Sequence, residues 1–324
     1  MTSRFSLDHR LPSDHLARTL RHDVRTGLQG PHKSLPPKWF YDARGSKLFE
    51  QITRLPEYYP TRAERRILEV HAGEIARLTR AHTLVELGSG SSGKTRLLLD
   101  ALTAETSLER YAPLDVSPSA LRAAGEAICR EYPSLRVAAT VADFEAELPV
   151  PPAGGPRLIA FLGSTLGNLD LPQRTAFCAA LRASLTDGDA LLLGVDLVKE
   201  PDVLVAAYDD AAGVTADFNR NVLHVLNREL GADFDPEAFD HRAVWNTEEE
   251  RIEMRLRSRS AQTVRIPALG LTAGFGLHEE LRTEISVKFR RTRLVRELAR
   301  SGFAVRHWWT DRKQRFALLL AVPV

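Results

Sequence analysis

Cysteine and methionine are scarce, two of each in 324 residues. Cys129 and Cys178 stand far apart in helix-like patterns. They offer no disulfide framework, and buried thiols in a reducing cytosol are the expected reading. The ten histidines are scattered and no Cys/His cluster has ligand spacing, so no metal is expected. Charge of one sign is lacking too. Lys plus Arg is 44, Asp plus Glu is 42, and a net charge of +2 is too small to argue for nucleic acid or an anionic membrane. No apolar run is long enough to span a bilayer. MTSRFSLDHRLPSDH, at the start, has no apolar core and does not read as a secretory signal. There is no internal repeat. The absences leave an ordinary globular composition, long enough for one large or two smaller domains. A cytoplasmic monomer acting on a small molecule is expected.

Strand and helix patterns alternate over the middle of the chain. Thr61-Arg62-Ala63-Glu64 reads as a capping box opening a helix. Strands follow at 83–87, 111–116, 136–143, 157–163 and 190–197, with helical patterns between most of them. Ser117-Pro118 reads as an N-cap and first-turn proline. This alternation predicts a parallel α/β sheet. After residue 199 it stops. Two helical patterns run from Pro201 to Leu230, and short strands with period-two patterning fill 243–289. A helix over 288–302 and a hairpin of 303–309 with 315–324 close the chain.

The glycine loop VELGSGSSGKT (85–95) reads two ways. Gly88 to Thr95 fits G-x-x-x-x-G-K-[ST], the phosphate-binding loop, with LLLGVD ending in Asp196 as a Walker-B-like partner. Glu86-Leu-Gly88-Ser-Gly90 also fits the entry to an S-adenosylmethionine (SAM) site. Three features favour SAM. Glu86 would repel a polyphosphate and attract a cationic cofactor. Asp115 ends the second strand, at the spacing from which a carboxylate takes ribose hydroxyls. Asp143-Phe144 follows the third strand, an acid for an adenine amine beside a ring for its face. Lys94 would reach an anionic part of the site under either reading.

These residues sit among longer motifs: KSLPPKWFYDARGSKLFEQITRLPEYYPTRAE (33–64), FLGSTLGNLD (161–170), LLLGVDLVKEPDVLVAAYDDAAGVTADFNRNVL (191–223), WNTEEERIEMRLRS (245–258) and TEISVKF (283–289). With VELGSGSSGKTR (85–96), they make the chain resemble the L-histidine Nα-methyltransferases of ergothioneine biosynthesis over nearly its whole length. The resemblance implies an α/β fold: a Rossmann-like SAM methyltransferase sheet domain (61–198 plus 287–324) with an inserted α+β substrate domain (199–286, joined by 1–60). It implies three methyl transfers from SAM to the α-amino group of free histidine, giving hercynine. By the same resemblance Gly88, Lys94, Asp115, Asp143 and Phe144 match cofactor contacts. Tyr58, Asn168, Tyr208, Glu284 and Ser286 match histidine contacts, and Met254 lines the imidazole pocket. Ser91-Ser92-Gly93, before Lys94, departs from the family pattern.

The residues allow that chemistry. In TEISVKF, Glu284, Ser286 and Lys288 alternate onto one face. Glu284 and Ser286 then lie roughly 7 Å apart along a strand. A carboxylate and a hydroxyl so placed can take both nitrogens of an imidazole; the hydroxyl suits either tautomer. Asn168 can donate to a carboxylate and accept from an amine. Tyr208 can reach a carboxylate oxygen; the amine proton can leave to water or through Tyr58, with which Tyr59 competes. Met254, flanked by Ile252 and Leu256, suits a pocket wall or plain core. A SAM enzyme acting on another amine, a phosphate-loop NTPase and a non-catalytic SAM-binding module remain the alternatives.

Overall fold

A computed structural model describes residues 4–90, 93–144, 146, 148–152 and 154–324. In chain order, β1 (Phe5–His9) precedes α1 (His15–Gln29), α2 (Ala43–Ile52) and α3 (Pro60–Thr79). Next come β2 (Thr83–Leu87), α4 (Thr95–Ala104), β3 (Arg110–Asp115), α5 (Pro118–Glu131), β4 (Arg136–Val141) and β5 (Arg157–Phe161). Then follow α6 (Leu171–Ser184), β6 (Ala190–Asp196), α7 (Pro201–Tyr208) and α8 (Val214–Leu230). The strands β7 (Phe239–Asn246), β8 (Arg251–Ser258), β9 (Gln262–Ile266), β10 (Leu271–Phe275) and β11 (Glu280–Val287) lead to α9 (Arg291–Arg300), β12 (Phe303–Thr310) and β13 (Phe316–Pro323).

The chain divides into two compact units. The first contains the chain up to Pro12, Arg62–Leu197 and Phe289–Val324. Its sheet runs β1-β4-β3-β2-β5-β6-β13-β12. All neighbours are parallel except β13, which runs antiparallel to both β6 and β12. Central strands β2, β5 and β6 are buried at every residue, as near-continuous apolar strands covered on both faces must be. Strand order reverses between β2 and β5, so the carboxyl ends there form the usual ligand crevice of an open α/β sheet. Ser117 caps α5 through its hydroxyl, and Asp170 with Gln173 forms a capping box on α6.

Two expectations need correction. The first twelve residues were expected with the substrate domain, yet β1 pairs with β4 at the sheet edge. Phe5 and Leu7 pack on Leu121, Ala139 and Val141. Phe5 fits because Gly125 has no side chain; a Cβ there would lie 2.3 Å from its ring. Thr61 to Glu64 forms no box either. Helix α3 already begins at Pro60, and Glu64 is 0 % exposed with long-range partners.

The second unit comprises Ser13–Thr61 and Val198–Lys288. Its antiparallel sheet runs β11-β8-β7, beside a β10-β9 ribbon. Helices α7 and α8 pack on β7 and β8. A bulge falls at Thr283, which is fully buried; its hydroxyl donates to Asn219 Oδ1 of α8 (2.6 Å) and lies 3.1 Å from the Met254 carbonyl.

Candidate active site

The glycine loop leaves β2 through Gly88 (φ 69°) and Gly90 (φ 48°), both left-handed, a conformation that costs a side-chain-bearing residue about 1–2 kcal/mol. The N–H groups of Gly88 and Ser89 donate to the Leu114 carbonyl (2.8 and 3.4 Å). The Gly90 N–H donates to Asp115 Oδ2 (3.1 Å). A phosphate cradle would aim such N–H groups at its ligand. Here three successive ones are engaged by β3, and one of them by a carboxylate. Ser91 and Ser92, within the unusual stretch before Lys94, lie outside the described residues.

Several groups converge on this turn. Asp115 also accepts from the Ser117 N–H (3.0 Å). Burial pushes its carboxyl up from the ordinary value, and the N–H groups of Ser117, Gly90 and Val116 pull against that. The Phe144 ring lies 3.6 Å from where a Cβ on Gly88 would stand, and packs edge-on against Phe161. Asp143 is buried beside it. The Ser89 hydroxyl oxygen is buried without a hydrogen-bond partner among the described residues. Such an orphan beside a glycine turn fits a polar ligand group arriving there.

Glu86 does not face this turn. It is 5 % exposed, accepting from Thr95 Oγ1 and Tyr111 Oη at 2.5 Å each. A strand buried on both faces leaves this side chain almost no open side, so two hydroxyls take up the carboxylate. Burial pushes its carboxyl up to about 7. Stability from this group is complete below its ordinary 4.5 and is lost as pH rises through about 7. The swing is on the order of 3 kcal/mol. Melting temperature of the wild type should fall relative to Glu86→Gln between about pH 5 and about pH 8.5. Parallel melting curves across that range would show that the carboxyl does not titrate there.

Glu64 is the residue the sequence reading missed. Its Oε1 accepts from the Gly163 N–H at 2.8 Å, and Oε2 pairs with Lys94 Nζ. Gly194 of β6 makes the room: a Cβ there would lie 2.0 Å from Oε1. A lone glycine inside the apolar run LLLGVD was the available signal. The pair fixes Lys94 near the turn after β5, where Gly163 (φ 77°) and Ser164 (φ 62°) are both left-handed. Ser164 is a strained position held by its hydroxyl, which accepts from the Asp196 N–H at 2.9 Å. The 3-10 turn Thr165–Asn168 follows, placing Asn168 in the first unit.

The second unit brings together the other predicted residues. Register sets Glu284 opposite Met254 and Ser286 opposite Ile252. Directly opposed side chains share a face, so carboxylate and thioether are neighbours. Tyr208, ending α7, places Oη 2.8 Å from Ser286 Oγ. The Tyr58 ring meets Tyr208 edge-on at 6.2 Å. Tyr59 accepts from Lys199 Nζ at 2.6 Å, which separates the two adjacent tyrosines. Lys288, read only as part of the polar face, is 1 % exposed and donates to both Tyr208 Oη and Ser286 Oγ. Among the described residues no group of three or more His, Cys, Asp or Glu is placed to hold a metal ion, and no helix is long and apolar enough to cross a membrane.

A family model described as "Histidine-specific methyltransferase, SAM-dependent" matches residues 20–323. The chain belongs to that family. The methyltransferase is 56 % identical to histidine N-alpha-methyltransferase of Mycolicibacterium smegmatis over 317 residues, covering 98 % of this chain and 99 % of the relative. It is 56 % identical, over 320 residues and the same shares, to the histidine N-alpha-methyltransferase of Mycobacterium tuberculosis. Ergothioneine biosynthesis protein 1 of Neurospora crassa is 34 % identical over 210 residues, 62 % of this chain and 23 % of that protein.

Proposed function

We propose that this methyltransferase trimethylates the α-amino group of L-histidine, with SAM as donor, to give hercynine, the first step of ergothioneine biosynthesis. One observation carries the substrate: Glu284 and Ser286 project from one strand face with Met254 directly across from the carboxylate. An acceptor and a hydroxyl two residues apart against a thioether wall suit an imidazole. Family membership and two nearly full-length relatives support it.

When bound, SAM supplies a methyl group on a sulfonium. Asp115 would take the ribose hydroxyls, Asp143 the adenine amine and Phe144 the adenine face. Gly88 and Gly90 let the backbone approach, Ser89 offers its hydroxyl, and Lys94, steadied by Glu64, would hold an anionic end. On the acceptor side, Glu284 and Ser286 hold the ring. Asn168 orients the carboxylate and amine, Tyr208 backs Ser286 at the ring end, and Tyr58 is the candidate for carrying the amine proton away. Methyl transfer needs the nitrogen neutral, aligned behind the methyl and shielded from water. Positioning of that kind supplies about 7–11 kcal/mol in well-oriented systems, so these residues need form no covalent bond to substrate.

The proposal extends to a monomer in the cytoplasm that requires neither metal nor nucleic acid, supported by the +2 net charge and two free thiols. Incubation with SAM and an amino-acid panel, followed by mass spectrometry, tests the substrate. Histidine should gain one, two and then three methyl groups while the other amino acids stay unmodified. Methylation of another amine in preference to histidine would replace the proposal.

A further inference from the structure

Lys288 follows β11, on the face that carries Glu284 and Ser286, and is 1 % exposed. Its Nζ donates to Ser286 Oγ and Tyr208 Oη, each at 2.8 Å, and those two oxygens lie 2.8 Å from one another. The same Nζ stands 4.5 Å from the centre of the Tyr208 ring. Two other contacts hold the corner in place. The Lys288 N–H donates to the Glu250 carbonyl at 2.7 Å, and His241 Nε2 lies 2.8 Å from the Tyr208 carbonyl.

Proton counting gives this triangle a direction. An ammonium has three N–H donors and no lone pair. Each hydroxyl therefore offers a lone pair to Lys288. One of the two hydroxyl protons lies in the bond between Tyr208 and Ser286, so at most one can be directed beyond the triangle. Positive charge beside both oxygens polarises that remaining O–H and strengthens it as a donor. The same charge opposes an approaching N–H that is itself positive. Two residues before Ser286, the Glu284 carboxylate accepts only. The strand face thus has a fixed polarity, with a cation-backed donor at one end and an acceptor at the other.

We propose that Lys288 is held as an ammonium and is a positioning residue that keeps the Ser286–Tyr208 pair as a donor, so that histidine presents a ring lone pair there and its ring N–H to Glu284. The proposal rests on histidine being the acceptor substrate. A serine by itself would suit either tautomer; with Lys288 behind it, one orientation of the neutral ring is selected.

Steady-state rates with L-histidine and SAM on the wild type, Lys288→Met, Ser286→Ala and the combined variant test this. Lys288→Met should raise KM for histidine at least tenfold with a smaller change in kcat. Its affinity for S-adenosylhomocysteine, measured by calorimetry, should stay within twofold of the wild type. The combined variant should lose at least fivefold less in kcat/KM than the product of the separate losses, because the ammonium acts through the hydroxyl. If the wild type turns over histidine but Lys288→Met leaves KM unchanged, or the two losses simply multiply, this inference fails alone. If the wild type does not methylate histidine, the substrate assignment fails and takes this with it. Should Lys288→Met fail to bind S-adenosylhomocysteine, Lys288→Gln keeps a neutral donor without the charge, and the same rise in KM is expected of it; an unchanged KM there overturns the inference.

Discussion

Glu284→Ala should lower kcat/KM for histidine by about 10–10²-fold. The alanine leaves a ring N–H with nothing to accept it, and an unmet buried donor carries its full desolvation cost. Met254 still stands opposite the shortened side chain, so the apolar wall survives. The loss should therefore be selective. Turnover of phenylalanine or leucine, relative to histidine, should rise, because a site built around a hydrogen bond discriminates by leaving polar groups unpaired. Competition assays with paired amino acids read this ratio directly. Unchanged preference for histidine in the variant would remove Glu284 from the imidazole site.

Asp115→Ala should weaken S-adenosylhomocysteine binding by about 10²-fold, each lost charge-assisted hydrogen bond being worth about 1.5–3 kcal/mol. The carboxylate has two tasks. It would accept from the ribose hydroxyls, and it ties the loop together by accepting from Gly90 N–H at 3.1 Å and Ser117 N–H at 3.0 Å. Asp115→Asn should fall between alanine and wild type, since its amide oxygen can keep one of those N–H groups. Calorimetric titration measures the change, and histidine-site variants such as Glu284→Ala provide the comparison. Affinity within twofold of the wild type would place the nucleoside elsewhere.

Much of this was readable along the chain, for local reasons. Strands β2 to β6 announce themselves by apolar runs between helical patterns, and the left-handed glycines of the first loop occur where the chain must turn sharply. TEISVKF gave the Glu284, Ser286 and Lys288 face by alternation alone. The bulge at Thr283 could have reversed that parity, but it falls one residue ahead of Glu284 and leaves the face intact. What stayed hidden depends on distant partners. Glu64 fits a local capping pattern perfectly well on paper, while its actual partners, Lys94 and Gly163, lie 30 and 99 residues away. Glu86 looked available because sequence shows a carboxylate beside a glycine loop, not the Thr95 and Tyr111 hydroxyls that enclose it. The edge strand β1 has too few apolar positions to stand out, and its seat on Gly125 is formed only when α5 folds over the sheet.

The crystal structure of the chain with S-adenosylhomocysteine and L-histidine tests the whole assignment most directly. The imidazole should lie between Glu284 and Ser286 beside Met254, and the ribose hydroxyls should meet Asp115. A ring bound away from Ser286, or a nucleoside away from Asp115, would contradict it.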